Sequence, residues 1–259
     1  MNEHIKREES VHGRKWGVLH GGYFSDPAIA APLVRKILEF AGKSNADTVV
    51  DLGGGTGYLL SRLLACGMGH GVSLINLDDS DKQLDSARET GISCVRAAVD
   101  KFSRRDLGTE DGRFLFMMRS VLHYFGKDGL APTLRHLRFQ ARSGEFFIHQ
   151  TASFKHSQDA GCLNSLYRLM RTQKWYPTVE LMKNCLKSQG WQVLEVLPAP
   201  ILPLSSSDLM ERYGIDRKDM IEIGMQLSRD HHVEADVFGK EGDDFCAFLH
   251  YWIYVCAPF

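Results

Sequence analysis

The run Asp47-Thr-Val-Val-Asp51-Leu-Gly53-Gly54-Gly55-Thr56-Gly57-Tyr58 constrains the fold of this chain more than any other stretch. A short β-branched segment leads straight into clustered glycines, and from Tyr58 to Ala65 a helical pattern resumes. Glycines at such a junction let the main chain turn sharply. They also let a ligand lie against it with no Cβ in the way. The stretch predicts a buried strand, a tight turn and a helix.

The same alternation continues down the chain. Strands are expected at 72–77, 92–97, 114–119, 145–149 and 191–196, with a long final one at 246–257. Helical spacing marks 27–40, 82–89, 131–141, 160–171 and 178–189, the last stopped by Gly190. Strands alternating with helices of this length imply an α/β fold, a doubly wound and mostly parallel seven-stranded sheet. The last two strands lack a helix-length crossover, which allows an antiparallel edge strand. Residues 199–245 interrupt the rhythm with two helices, 207–213 and 217–229, and read as a cap on the rim too small to bury a core alone. The expected division is an N-terminal helical segment over 1–45 that covers substrate, and a main domain over 46–259 carrying the cap.

Two phosphate-binding readings of the glycine run fail at a required residue. A dinucleotide loop needs a third glycine where Tyr58 stands, and a Walker loop needs a Gly-Lys-Ser/Thr ending that does not follow. A purely structural turn stays open.

The pattern D-L-G-G-G-T-G closely resembles the first motif of class I S-adenosylmethionine-dependent methyltransferases, and the resemblance extends to about Val196. It implies a Rossmann-like fold, S-adenosylmethionine as cofactor, S-adenosylhomocysteine as product and no metal. It places Asp51, Gly53, Gly55 and Gly57 in the cofactor loop, with Arg119 and Ser120 at the end of the fourth strand. Asp78 stands where the family's acidic residue accepts hydrogen bonds from both ribose hydroxyls, with Asp79 beside it near the adenine. An alternative for Asp78 is a helix N-cap, which Ser80 fills better. Asp100-Lys101-Phe102 resembles the adenine contact, its apolar neighbour covering the ring.

After the fourth strand the sequence reads Arg119-Ser120-Val121-Leu122-His123-Tyr124-Phe125. It lacks the Asn/Asp-Pro-Pro-aromatic tetrad of nucleic-acid and glutamine methyltransferases. Val-Leu-His-Tyr is instead similar to a segment of small-molecule methyltransferases, whose phenol-methylating members use the histidine as general base. Those members carry aspartate after it, where this chain has Tyr124. Base and pocket wall both remain open for His123. His149, at the end of the fifth strand, is a second candidate for the rim, against a packed histidine. Trp16, Tyr23 and Phe24, with the cap, are expected to wall the substrate. The segment from Arg171 to Trp191 reads as packing. His231-His232 point about 100° apart on a helix and read as a solvated end, not a metal site.

Composition narrows the partners. Lys and Arg total 31 against 32 for Asp and Glu, a net charge of -1, which argues against a nucleic-acid coat or an anionic-membrane binder. The N-terminus has no signal-peptide core, and no apolar run approaches the roughly 20 residues of a membrane span. Six cysteines without a C-x-x-C pair fit free thiols in a reducing cytoplasm. The expected partner is a small-molecule methyl acceptor; a homodimer is compatible. The function expected is SN2 methylation of an O, N or C nucleophile, of a kind found in biosynthetic metabolism. The alternative is a non-catalytic cofactor- or partner-binding protein on the same fold.

Overall fold

Val49, Val50 and Leu52 are buried on both faces of their strand, the pattern of a parallel strand covered by helices on each side. The computed structural model describes residues 19–69, 71–108 and 111–259, so Trp16 lies outside the described residues. Strand β1 (Thr48–Leu52) pairs in parallel with β2 (Ser73–Asp78) and β4 (Phe114–Arg119). Around it the sheet runs β3 (Ser93–Arg96), β2, β1, β4, β5 (Phe146–Ala152), β10 (Tyr251–Pro258), β6 (Trp191–Pro198). This is the seven-stranded, mostly parallel sheet expected from the sequence.

The antiparallel strand is not at the edge. β10 lies between β5 and β6 and pairs antiparallel with both. The chain also breaks its final apolar stretch at His250. β9 (Asp244–Leu249) alternates buried and less buried positions, whereas β10 is buried almost throughout its middle. The first suits a half-covered small sheet and the second an interior strand.

Helices sandwich the large sheet. α1 (Pro27–Ser44) starts at Asp26, whose carboxylate accepts from the Ala28 N–H at 2.7 Å, and Pro27 occupies the first turn. α1 and α2 (Tyr58–Ala65) pack Leu33, Ile37 and Leu60 against Val49, Met117 and Ile253 on one face. On the other, α4 (Gly126–Gln140) and α6 (Val179–Ser188) bring Leu134, Leu186 and Met182 against Phe116, Trp191 and Tyr254. α3 (Asp81–Arg88) packs on β2 and β3.

The segment after β6 holds more than the two helices expected. β7 (Leu202–Ser205), β9 and β8 (Phe238–Glu241) form a separate antiparallel sheet in the order β7-β9-β8. α7 (Ser206–Tyr213) and α8 (Arg217–Asp230) lie on it. Its core is shared: Leu209, Met220, Leu227 and Phe245 pack with Leu163, Leu166 and Tyr167 of α5 (Ser157–Leu169). Short strands escaped a sequence reading because Pro203 and the glycines at 239 and 242 break their apolar pattern.

Candidate functional site

A cavity of about 510 Å³ opens at the C-terminal ends of β1, β2 and β4, within the range of small-molecule and cofactor sites. Asp51, Gly53, Gly54 and Gly55 form its floor. The turn is held by Gly53 N–H donating to Leu77 O at 2.7 Å, and Gly53 sits at φ 70. A Cβ on Gly54 would lie 2.2 Å from Asn76 Oδ1 and 2.5 Å from Asp51 Cγ. Only glycine fits there.

Beneath that turn Asp51 is 1% exposed, and neither carboxylate oxygen has a hydrogen-bond partner. Burial pushes its carboxyl up to about 7; the nearby Asp78 adds to the rise and Arg119 opposes it. Asp78, at the end of β2, accepts from Gly55 N–H at 2.9 Å and Ser80 N–H at 3.0 Å, one bond to each oxygen. Burial raises its carboxyl to about 6, against the pull of those two bonds. Arg119 ends β4. Its guanidinium donates to Phe24 O and Tyr23 O at 3.2 and 3.3 Å, lies over both rings, and leaves Nε buried without a partner. The site thus holds a buried acceptor pair and a buried donor, both facing one cavity.

The far wall comes from three separate segments. Tyr124 and Phe125 follow β4, Arg171 to Lys174 connect α5 to α6, and Tyr213 ends α7. Trp175 N–H donates to His123 O at 3.2 Å, which ties the connection to the turn after β4. A second, much smaller cavity of about 10 Å³ lies behind Tyr124 and is lined by His123, Tyr176, Arg212 and Tyr251 among others. Phe24 and Ser120 line both. Ser120, at φ 60, shares a 2.5 Å hydrogen bond with the Tyr251 hydroxyl.

No protein-family model and no curated protein matches this sequence. Solved structures do. Magnesium protoporphyrin IX methyltransferase from Synechocystis, solved with bound S-adenosylhomocysteine, aligns at TM-score 0.58 and 11% identity, covering 98% of this chain and 94% of its own. An S-adenosylmethionine-dependent methyltransferase from Mesorhizobium loti aligns at 0.54 and 18%, covering 90% and 99%. Human N-acetylserotonin methyltransferase, solved with S-adenosylmethionine, aligns at 0.52 and 14%, covering 89% of this chain and 52% of its own. The fold is that of class I S-adenosylmethionine-dependent methyltransferases.

Within this methyltransferase fold, Asp51, Gly53, Gly55, Asp78, Asp79, Asp100, Lys101, Arg119 and Ser120 all line the large cavity. Gly57 does not. It caps α2 at φ 76, and a Cβ there would meet Ala87 and Ile92 at 3.1 and 3.2 Å, so its place is set by packing. Phe102 is not a cavity lid either. It is 1% exposed and packs on Phe116 and His136 in the core.

His149 is excluded from the site by its neighbours. It is fully buried, stacked between Phe147 and Tyr254, and hydrogen-bonded to Thr151 at 2.8 Å. Burial drives its imidazole down to about 3, so it is neutral at any working pH. Tyr23 is likewise buried, stacked on Tyr251 with its hydroxyl given to Pro200 O; its neighbour Phe24 faces the cavity instead. His123 reaches only the small cavity, stacked on Tyr176 at 5.3 Å and against Tyr124 at 4.1 Å.

Sequence reasoning missed Gly54, Gln83, Tyr124, Lys174 and Tyr213, which all line the large cavity. The motif's spacing credits alternate glycines, which leaves Gly54 out. The 171–174 segment read as packing because nothing local distinguishes a polar linker at a rim from any other. Among the described residues, no group of three or more His, Cys, Asp or Glu side chains is placed to hold a metal, and no helix is long and apolar enough to cross a membrane. His231 instead closes α8 and bonds Ser165 at 3.0 Å.

Proposed function

We propose that this chain is an S-adenosylmethionine-dependent methyltransferase acting on a small molecule. The observation that carries the reading is Asp51. A fully buried carboxylate with two unpartnered oxygens, facing a cavity beside a glycine turn, calls for a cationic donor. The α-ammonium of a methionine moiety meets that demand, and the unpartnered Arg119 Nε suits its carboxylate. Asp78 keeps a lone pair on each oxygen for ribose hydroxyls after its two backbone bonds. Asp100 and Val99 line the same cavity, and we assign them to the adenine.

The cofactor's chemistry is a sulfonium methyl open to SN2 attack by an O, N or C nucleophile, leaving S-adenosylhomocysteine. The protein's own contribution is positioning and exclusion of water by the walls from Phe24, Tyr124 and Tyr213.

Asp78→Ala is expected to weaken S-adenosylhomocysteine binding by about ten-fold or more, since charge-assisted hydrogen bonds contribute roughly 1.5–3 kcal/mol each. Calorimetry giving native affinity for a folded variant would remove Asp78 from the ribose site. Incubation with labelled cofactor and a metabolite extract tests turnover; cofactor binding without any transfer would favour the binding-protein alternative.

His123 is assigned to the wall of the small cavity. His123→Gln is expected to hold turnover within about ten-fold of native and to raise acceptor KM more than it lowers kcat. A loss of 10²–10⁴-fold that recovers at high pH would instead make it the general base.

A further inference from the structure

We infer that Asn76 is a positioning residue of the cofactor site: its side-chain carbonyl receives the proton that Asp51 carries in the free protein. That this proton leaves when an ammonium binds rests on the methyltransferase reading above; its place between the two side chains does not. Asp51 on β1 and Asn76 on β2 are directly paired in the parallel register, so their side chains leave the same face of the sheet. They meet under the glycine turn. A Cβ on Gly54 would lie 2.2 Å from Asn76 Oδ1 and 2.6 Å from Asp51 Oδ2, so the two oxygens press on one point. Asn76 is fully buried, and no donor from another residue reaches its Oδ1 or either Asp51 oxygen.

The amide cannot be turned round. Asn76 Nδ2 donates to Gly55 O at 2.7 Å, and a main-chain carbonyl only accepts. With its nitrogen committed there, the amide presents its oxygen to Asp51. Two oxygens without a hydrogen between them are costly to bury side by side. Asp51 can supply that hydrogen, because a protonated carboxyl is a donor. Ionised, it would leave Asn76 Oδ1 facing a negative charge. Among the charged groups acting on Asp51, Asp78 at the end of β2 also favours the proton and Arg119 at the end of β4 opposes it. The glycine turn brings no charged side chain. Asn76 thus serves both halves of the site: it tunes Asp51, and through Gly55 it holds the turn whose N–H bonds Asp78. When a cofactor ammonium arrives, the Asp51 O–H bond breaks, its proton passes to solvent, and an ammonium N–H takes its place.

The test reads the Asp51 carboxyl in ligand-free protein by carbon-13 NMR of labelled aspartate, with Asp51→Asn to assign the signal. Native Asp51 is expected to titrate at about 7. In Asn76→Leu, which keeps the shape and removes the acceptor, the midpoint should fall by about one pH unit or more, the effect of one hydrogen bond to the neutral form. The pH profile of S-adenosylhomocysteine affinity should move down the pH scale by the same amount. Loss of the Gly55 bond lowers affinity at every pH, so the midpoint is the readout. A midpoint that stays would make Asn76 a clamp on Gly55 alone, and one that rises would mean that its N–H faces Asp51; either result overturns the inference. If Asn76→Leu fails to fold, the infrared spectrum of native protein at pH 5 decides. The expected result is a carboxylic-acid carbonyl band that Asp51→Asn removes, at the position of an acid donating a hydrogen bond. A band at the free-acid position, or none, would overturn the inference as well. Failure of native protein to bind S-adenosylhomocysteine would instead strike the methyltransferase reading, and the ligand-free titration would still judge Asn76.

Discussion

Affinity for S-adenosylmethionine is expected to fall as the pH drops below about 7, towards ten-fold per pH unit, and Asp51→Asn is expected to remove the slope above about pH 6, leaving only that of Asp78 below it. The carboxyl of Asp51 lies near 7 in the free protein because it is buried without a hydrogen-bond partner. A bound ammonium requires it ionised, so binding below that pH releases a proton. Calorimetry in buffers of different ionisation enthalpy would read the proton directly. Binding that is flat between pH 5 and 8 would sink the role given to Asp51. The same substitution should weaken binding at pH 8 by roughly 100-fold, the loss of a buried charge-assisted pair.

The effect on stability runs the other way. Both Asp51 and Asp78 have folded-state values raised above the ordinary aspartate near 3.8, to about 7 and about 6. Between pH 4 and 7 the folded protein therefore keeps protons that the unfolded chain has released. Stability from these two groups is present at low pH and is lost as pH rises through that window. Asp51→Asn should raise the melting temperature of the ligand-free protein at pH 8 and leave it nearly unchanged at pH 4. Gain of stability with loss of affinity is the signature of a binding group, since a merely structural aspartate would lose both.

Glu145→Ala is expected to lower stability by about 3–5 kcal/mol, or roughly 10 °C in Tm, while leaving cofactor affinity of the folded protein intact. Glu145 is 1% exposed and joins separate parts of the chain at the N-terminal ends of β4 and β5. Its carboxylate accepts from both terminal nitrogens of Arg104 at 2.9 and 3.0 Å, from Phe114 N–H at 2.9 Å and from Arg142 N–H at 2.7 Å. The Arg104 guanidinium also lies 4.2 Å from the Phe114 ring centre. Alanine would leave the buried Phe114 N–H without its acceptor and take the Glu145 carboxylate away from the Arg104 guanidinium, which keeps its bonds to the Gln140 and Gly112 carbonyls. Replacing the pair with Arg104→Met and Glu145→Leu should recover the part of the loss that comes from separating the two charges, but not the part from the Phe114 and Arg142 N–H groups. Equal destabilisation in the single and double variants would mean that packing, not the ion pair, holds this corner. The site lies at the other end of the strands, which is why affinity serves as the control.

Much of the parallel half was legible in the residues. The β-branched run at 48–50, the glycine cluster and the apolar spacing of 58–65 each carry their own local signal, and the observed elements fall on them. Asp51, Asp78 and Arg119 were expected in the cofactor site from the family resemblance of the segments around them, and all three line the cavity. Local pattern was less use where two partners compete for one stretch. The residues on either side of His250 are all apolar enough to be strand, yet β9 pairs with β7 and β8 while β10 pairs with β5 and β6. Likewise, the sequence places His149 at a strand end as a site residue would be, but β5 runs on to Ala152, which leaves His149 mid-strand with Phe147 and Tyr254 stacked against it.

By itself, the sequence determined the order of strands and helices from β1 to β6, the glycine turn and the acidic residues at the ends of β1 and β2. These depend on contacts within one βαβ unit, where backbone preference and hydrophobic period act over a few residues. Only the tertiary structure decided which aromatic faces the cavity, that Gly57 and Phe102 belong to packing, and that Lys174 meets Tyr124 and Tyr213. Those three residues are brought together by the turn after β4, the connection before α6 and the end of α7, which lie far apart in the chain. Nothing local encodes such a meeting. It follows from the close packing of the cap on α5 and the sheet, which sets the direction of side chains that no short window relates.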